Sequence, residues 1–289
     1  MAAHPVSIVV SDRPHTAALR SVRSLDGTLT VFPSVSPLYR AFAQMIADAR
    51  YDICEMAVGA FLQARAAGRQ LLLLPVVIGG GFHHGSVVVS PAAPPGGPAG
   101  LRGRRVGVRS YSQTTGLWVR AFLEEEHGIR PEDVTWVTTE GSHVPEYQDP
   151  PFTRRTSRTL REELLDGGVV AAVPGRGDGA GLSTLVEDPA GAARAWHARH
   201  GVVPVNHLLV TTETFAAERP ALIAEVMALV GEGIDATRPP GTGGPALPSG
   251  LVHGRAAVLP TVALAARYAV RQGLVPELPD VEALFVPQL

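Results

Sequence analysis

Short apolar runs alternate along this chain with segments in which apolar residues recur every three or four positions. Apolar runs of strand length predict buried β-strands, whereas the three-to-four spacing predicts helices. The predicted strands cover residues 6–10, 29–32, 51–58, 71–78, 106–108, 134–138, 168–173 and 202–212. The predicted helices cover residues 16–20, 37–50, 61–68, 115–127, 157–166, 190–200, 220–231, 261–272 and 281–285. Strands that alternate with helices indicate an α/β architecture with mostly parallel strands.

Four polar clusters lie on or directly after predicted strands in the first half of the chain. They read YDICEMAV (51–58), FHHGSVVV (82–89), VGVRSYSQTTGLW (106–118) and GSHVPEYQDPP (141–151). Open α/β sheets bind ligands in the crevice outside the carboxyl ends of their strands, so the clusters predict one shared pocket. Their side chains are of the types that hold and protonate a small carboxylic acid.

Composition narrows the class of protein. The chain has 289 residues, an apolar fraction of 45%, a mean hydropathy of +0.13 and a formal net charge of −2. These values indicate a globular protein with an ample core, and the near-neutral charge argues against a nucleic-acid partner. All 25 residues of the Lys+Arg count are arginine, which excludes a lysine Schiff base and a pyridoxal phosphate aldimine. Arginine is therefore the only permanent side-chain cation available to grip a carboxylate.

The single cysteine, Cys54, excludes an intramolecular disulfide and a multi-cysteine metal site. The first residues run directly into a predicted strand without a basic segment followed by a long apolar one, so we expect no signal peptide. No apolar run approaches the roughly 20 residues of a membrane span. We therefore expect a cytoplasmic location and no membrane partner.

A hydroxyl-rich run at residues 109–115 lies between a predicted strand and a predicted helix. Arg109, Ser110, Thr114 and Thr115 could hold carboxylate oxygens there, because the free N–H groups at a helix start favour an anion. The alternative is simple capping of the helix by Ser112 or Thr114, which needs only one hydroxyl.

Two adjacent histidines, His83 and His84, are candidates for a general acid. On a strand their side chains would face opposite sides, so they would make a poor metal pair. Glu55 lies within an apolar strand and must be paired, exposed at a pocket or raised in pKa. His207 and Arg13 follow or lie on predicted strands. The structural alternative for His83 and His84 is a histidine bonded to the backbone, and for Glu55 it is an arginine partner. For His207 the alternative is a core histidine, and for Arg13 it is a local turn with Asp12.

His143 and Glu146 lie in a predicted loop after a strand, where they could contact substrate hydroxyls or form ordinary surface. Their spacing fits no zinc signature. His197 and His200 could share one helix face but have no evident third ligand, so a solvated face is the better interpretation. Gly79, Gly80 and Gly81 lack the lysine of a phosphate-binding loop, and we reject nucleotide binding.

The motifs FHHG (82–85), TTGLWVRAFLEEEHGI (114–129) and HVPEY (143–147) together resemble the 4,5-dihydroxyphthalate decarboxylase family. The segments VVSDRPHTAAL (9–19), VVPVNHLLVTTETFAAERPAL (202–222) and YAVRQGLVPELPDVEALFVP (268–287) extend the resemblance over most of the chain. It implies a two-lobed α/β fold of the type II periplasmic-binding-protein class, with a ligand cleft between the lobes. The first lobe would be discontinuous, from residues 1–95 and 205–289, and the second would span 96–204. The Pro/Gly-rich segment 90–100 would form the crossover.

The resemblance implies a decarboxylase of an aromatic, dihydroxyphthalate-like carboxylic acid that needs no cofactor and no metal. His83 or His84 would donate the proton with support from Glu55 or His207. Arg109, Ser110, Thr114 and Thr115 would hold carboxylate oxygens, as Arg13 could, and Tyr111, His143 and Glu146 would contact ring hydroxyls. The alternatives are another lyase, such as a dehydratase of a cyclic carboxylic acid, and a non-enzymatic solute-binding protein. A small-molecule acid is the expected partner, and a homo-oligomer is left open.

Overall fold

A computed structural model describes residues 4–175, 179–237 and 247–287 of the chain. The chain divides into two compact units. The first unit comprises residues 1–81, 205–266 and 277–289, and the second comprises residues 82–204 and 267–276. Each unit is built around its own β-sheet with helices packed against it. The chain therefore leaves the first unit twice, after residues 81 and 266, and returns to it each time.

The first unit contains strands from both ends of the chain. Its strands are β1 (Val6–Val9), β2 (Ser24–Leu25), β3 (Thr28–Val31), β4 (Ile53–Ala57), β5 (Leu71–Gly80) and β11 (Val205–Thr212). Among the described residues they form a sheet in the order β2-β3-β1-β4-β11-β5. The pairs of β1 with β3 and with β4 are parallel, whereas β11 runs antiparallel to both β4 and β5. Strand β11 thus lies between β4 and β5, two strands from the first third of the chain.

The helices of the first unit match the predicted ones in part: the helix at Glu213–Glu218 was not predicted, and the helix predicted for 220–231 extends to Thr237. They are α1 (Ala17–Ser21), α2 (Tyr39–Asp48), α3 (Val58–Ala66), α7 (Glu213–Glu218) and α8 (Pro220–Thr237). Helix α9 (Arg255–Arg271) begins in this unit, and its residues 267–271 belong to the second. The core joins apolar side chains of the sheet to those of α8, including Ile8, Leu74 and Val226. The predicted terminal helix at 281–285 is a single 3-10 turn, Glu282–Leu284.

The second unit has a smaller sheet. Its strands are β6 (Val88–Val89), β7 (Arg105–Val108), β8 (Thr135–Thr138), β9 (Thr153–Arg155) and β10 (Ala171–Val173). The described strands are ordered β6-β10-β7-β8-β9, all parallel except β6. The helices are α4 (Thr114–His127), α5 (Leu160–Leu165) and α6 (Pro189–His200). Helix α4 ends where Gly128 adopts the left-handed conformation that closes many helices.

The boundaries of the two units differ from the expected 95/96 division. Segment 82–95 belongs to the second unit because β6 pairs with β10 and the Ser90 hydroxyl donates to the carbonyl of Leu164. Residues 267–276 also belong there, since Gln272 accepts a hydrogen bond from the buried Arg120. Segment 90–100 is therefore a loop within the second unit, and the chain first changes unit at 81/82.

Candidate active site

A buried carboxylate lies at the centre of the first unit's sheet. Glu55, on β4, is 0% exposed. Its Oε2 accepts the backbone N–H of Ser11 at 2.7 Å, and its Oε1 lies 2.6 Å from Nδ1 of His207. Burial by itself raises the pKa of Glu55, but the hydrogen bond and charge of His207, together with Ser11, outweigh burial and hold that pKa below its usual value. Glu55 is thus an ionised carboxylate whose partner is a histidine, not an arginine.

His207 lies on β11, with its backbone opposite Ala57 of β4 and Gly79 of β5. The pairing of β11 with β5 is irregular on both sides of His207, and such irregularities redirect side chains. The ring meets Phe42 edge-on, with 5.4 Å between the ring centroids, and the side chain is 25% exposed. Nδ1 points to Glu55, so its proton is donated inward. In the described parts of the chain, Nε2 has no hydrogen-bond partner.

Arg13 is held next to this pair by the loop after β1. The Thr16 hydroxyl donates to the carbonyl of Ser11 at 2.7 Å and accepts the N–H of Arg13 at 3.0 Å, which fixes the loop. The half-buried Arg13 donates from Nε to the Ser11 hydroxyl at 2.9 Å. Within ranges 4–175, 179–237 and 247–287 its guanidinium forms no ion pair. Its terminal N–H groups are therefore available to an anion.

Ser11 connects Glu55 to Arg13 through its own hydrogen bonds. Its N–H binds Glu55, while its hydroxyl accepts from Arg13. His15, four residues on, bonds through Nε2 to the carbonyl of Ile78, and burial is the main cause that lowers its pKa. Ser11, Thr16 and His15 were not among the sequence candidates, since nothing local distinguishes a serine or threonine that ties a loop from any other.

The hydroxyl-rich run of the second unit leads into α4. Helix α4 begins after Gln113, and the side chain of this N-cap residue makes no capping hydrogen bond. Ser110 donates from its hydroxyl to the carbonyl of Gly141 at 2.9 Å and lies 2.9 Å from the Ser112 hydroxyl. Thr114 and Thr115 form the first turn of the helix. The anion site at this helix start stays a prediction.

Arg109 and His143 lie close together at the same end of the second unit's sheet. Arg109 forms an ion pair with Glu140 at 2.5 Å. Burial lowers the pKa of His143, the charge of Arg109 lowers it further, and Glu140 opposes both. Glu146 lies exposed in the following loop. Roles of His143 and Glu146 in binding also stay predictions.

Tyr111 lies in the core of the second unit. Its ring is fully buried beneath the guanidinium of Arg120, whose Cζ is 4.0 Å from the ring centroid. Its hydroxyl donates to the carbonyl of Gln272 at 3.0 Å. The hydroxyl that was expected to meet a substrate ring is thus engaged within the protein.

The adjacent histidines lie in a turn between β5 and β6, not on a strand. His84 is 3% exposed and stacks on Phe122, with 4.6 Å between the ring centroids. Its Nε2 lies 3.3 Å from Glu126, and the cavity beside it has only about 10 Å³. His83 is half-buried, and its Nδ1 is 3.3 Å from the Ser86 hydroxyl. His84 therefore has the surroundings of a core histidine.

Metal ligands are not grouped in the described part of the chain: no set of three or more His, Cys, Asp and Glu side chains is arranged to hold an ion. None of the helices described there has the length and apolarity needed to cross a bilayer.

Comparisons with known proteins identify a similar family and similar curated proteins. The model of the periplasmic substrate-binding proteins of phosphonate ABC transporters matches residues 28–148. A 4,5-dihydroxyphthalate decarboxylase of Comamonas testosteroni is 32% identical over 223 residues, which cover 68% of this chain and 64% of that protein. The match thus spans somewhat less than two thirds of the relative's length.

Solved structures give the fold. The alkanesulfonate-binding protein SsuA from Xanthomonas axonopodis pv. citri superposes with a TM-score of 0.58 at 15% identity, covering 98% of this chain and 99% of that one. The desulfurization enzyme DSZB superposes with a TM-score of 0.56 at 14% identity, covering 98% and 97%. The chain therefore has the α/β fold of the periplasmic binding proteins and is a relative of the 4,5-dihydroxyphthalate decarboxylases.

Proposed function

We propose that this protein decarboxylates an aromatic carboxylic acid related to dihydroxyphthalate, without a cofactor, and that His207 donates the proton. The observation that carries the proposal is the buried carboxylate of Glu55 bonded to the partly exposed His207, beside Arg13, which forms no ion pair with any residue that the structure describes. A buried carboxylate on Nδ1 stabilises the imidazolium and leaves Nε2–H facing outward, the arrangement that a general acid requires. The names of the similar decarboxylases support the same reaction class.

The reaction would proceed by proton transfer to the ring carbon that carries the departing carboxylate. Nε2 of the His207 imidazolium gives its proton to that carbon, and a ring hydroxyl stabilises the positive charge that develops in the ring. The bond between ring and carboxylate then breaks, its electron pair restores the aromatic ring, and carbon dioxide leaves. The neutral imidazole regains a proton from water. Glu55 stays ionised throughout and holds the ring orientation of His207.

Arg13 would bind the carboxylate that remains. Dihydroxyphthalate carries two adjacent carboxylates, and only one is lost in a single decarboxylation. A guanidinium fixed through Nε can present its terminal N–H groups as a fork to two carboxylate oxygens. Because Arg13 forms no ion pair with any described residue, no such ion pair has to break when the substrate binds.

The assignment of the donor to His207 departs from the sequence analysis, which placed it on His83 or His84. The stacking of His84 on Phe122 and the lack of space beside it argue against that position. His207, by contrast, is partly exposed and has a buried carboxylate behind it. His83 stays an alternative proton donor, and single substitutions of His83 and His207 would distinguish the two.

Solute binding is the second candidate, and the fold favours it because sulphonate-binding proteins share it. The terminal N–H groups of Arg13, close to His207, would suit an anionic solute as well as a substrate. A decarboxylase removes carbon dioxide from the bound molecule and lowers its mass, whereas a solute-binding protein leaves the molecule unchanged.

The test is mass spectrometry of the products formed from 4,5-dihydroxyphthalate and a panel of hydroxylated and cyclic carboxylates. The wild type should release carbon dioxide from at least one acid, and His207→Gln should lower kcat by about 10²–10⁴-fold. His253→Gln is the matched control, since His253 lies in the same unit and pairs with Asp235 at 3.1 Å. Loss of water would indicate a dehydratase, and binding without a mass change would indicate a solute-binding protein. Full activity of His207→Gln would refute the assignment of the acid.

A further inference from the structure

Gly79 lies between the two groups that the proposed reaction uses. It is half-buried on β5, and its backbone is opposite His207. A Cβ built on Gly79 would lie 3.7 Å from a terminal nitrogen of Arg13, 3.9 Å from its Cζ and 3.8 Å from Cβ of His207. The bare Cα thus lies between the guanidinium of Arg13 and the Cβ of His207.

Neither the backbone nor the packing accounts for a glycine at this position. The φ angle of Gly79 lies outside the left-handed region that favours glycine. The nearest atoms to its hypothetical Cβ are all at ordinary van der Waals distance, so alanine would fit without displacing a neighbour. Glycine inside a strand is less stable than alanine, by roughly 0.5–1 kcal/mol, because it loses more backbone freedom on folding. The missing side chain therefore leaves a space that does not stabilise the fold.

That space lies against the terminal N–H groups of Arg13, which bind no described protein group. A side chain at residue 79 would lie next to the guanidinium on the side that faces His207. A flat aromatic acid that binds Arg13 through its carboxylate and reaches His207 with its ring would lie against this position, because a Cβ there would contact both residues. Glycines in strands are also found where a ligand approaches the backbone closely.

We propose that Gly79 determines substrate specificity: its lack of a side chain admits a planar aromatic carboxylate between Arg13 and His207. The inference rests on the proposed function and adds to it the residue that sets the width of the site. Acids with a flat ring are accepted, and bulk at residue 79 excludes the ring before it excludes a slim carboxylate such as acetate.

The experiment compares Gly79→Ala and Gly79→Val with wild type and with Gly81→Val. Gly81 belongs to the same glycine run, and a Cβ there would meet nothing within 4 Å, which makes it the matched control. Binding of phthalate is measured by calorimetry, KM and kcat for 4,5-dihydroxyphthalate by product analysis, and folding by the melting temperature. Valine favours strands, so the melting temperature should not fall in Gly79→Val.

We expect the Kd for phthalate and the KM to rise about tenfold or more in Gly79→Val, and less in Gly79→Ala, which places one carbon beside Arg13. Gly81→Val should match wild type. In an Arg13→Ala background, Gly79→Val should weaken phthalate binding much less than in wild type, because the group it shields is gone.

The failures of the two proposals are distinguishable. If the wild type binds phthalate but decarboxylates nothing, the proposed reaction fails while the binding series still decides the role of Gly79. If Gly79→Val binds phthalate as tightly as wild type does, the role of Gly79 is refuted whether or not turnover occurs. A wild type that binds no aromatic carboxylate overturns both.

Discussion

Replacement of Glu55 by glutamine tests the centre of the proposed mechanism with almost no change in shape. The carboxylate accepts hydrogen bonds from the N–H of Ser11 and from Nδ1 of His207. The glutamine amide has one accepting oxygen and one donating nitrogen. If the oxygen keeps the Ser11 N–H, the NH₂ group faces Nδ1 and must donate to it. His207 then becomes a neutral imidazole with its proton on Nε2 and can no longer be stabilised as imidazolium.

The expected loss is larger for catalysis than for stability. A hydrogen bond to a charged group contributes about 1.5–3 kcal/mol, and the amide avoids the desolvation cost of a buried charge, so we expect a net loss of about 1–2 kcal/mol. A general acid contributes about 10²–10⁴-fold, so kcat should fall within that range while KM changes little. Product analysis gives kcat and KM, and ¹⁵N chemical shifts of the His207 ring report its tautomer.

Glu163→Gln is the control for this experiment. Glu163 is a nearly buried carboxylate of the second unit that accepts the hydroxyl of Thr156 at 2.7 Å. Its replacement should lower the melting temperature without changing kcat. A Glu55→Gln variant that keeps wild-type kcat, or whose His207 ring keeps the wild-type tautomer, would refute the claim that the buried carboxylate sustains the acid.

Two further predictions concern charge. Arg13→Ala should raise KM for 4,5-dihydroxyphthalate by about tenfold or more through the loss of charged hydrogen bonds, with a smaller effect on kcat. Arg20→Ala is its control, because it removes the partner of Asp12 in the same region. An unchanged KM in Arg13→Ala would contradict the binding of the carboxylate by Arg13. Because the pKa of Glu55 is lowered on folding, its contribution to stability is complete above its ordinary value of 4.5 and is lost as the pH falls through the lowered value. Denaturant unfolding should therefore show a decrease in stability below pH 4.5 that is smaller in Glu55→Gln, and parallel pH profiles of the two proteins would contradict it.

Several elements of the fold were predictable because their causes are local. The apolar spacing of residues 37–50 predicted α2 to within two residues at each end, since an amphipathic face is legible without knowing what it packs against. The strand-to-helix transition at residues 109–115 was predicted for the same reason. Segment 90–100 was misplaced as a boundary because its proline and glycine content marks a loop but does not say which sheet the flanking β6 joins.

The candidate site likewise contains features with local causes, which were predictable, and features that depend on distant segments. Glu55 was singled out because a carboxylate in an apolar strand needs a partner, which is a matter of solvation and needs no structure. Its partner is 152 residues away and becomes a neighbour only when β11 pairs with β4. Ser11 and Gly79 carry no local signal, and the burial of His84 depends on the packing of Phe122 against it.

The sequence by itself determined the alternation of strands and helices, the set of titratable side chains and the resemblance to the decarboxylases, since each depends on neighbours along the chain. Only the tertiary structure decided which of those side chains meet. The antiparallel return of β11 brings His207 to Glu55, and the loop after β1 brings Arg13 beside Gly79, whose backbone is opposite His207. Contacts between distant segments arise from sheet order and register, which apolar periodicity constrains but does not specify.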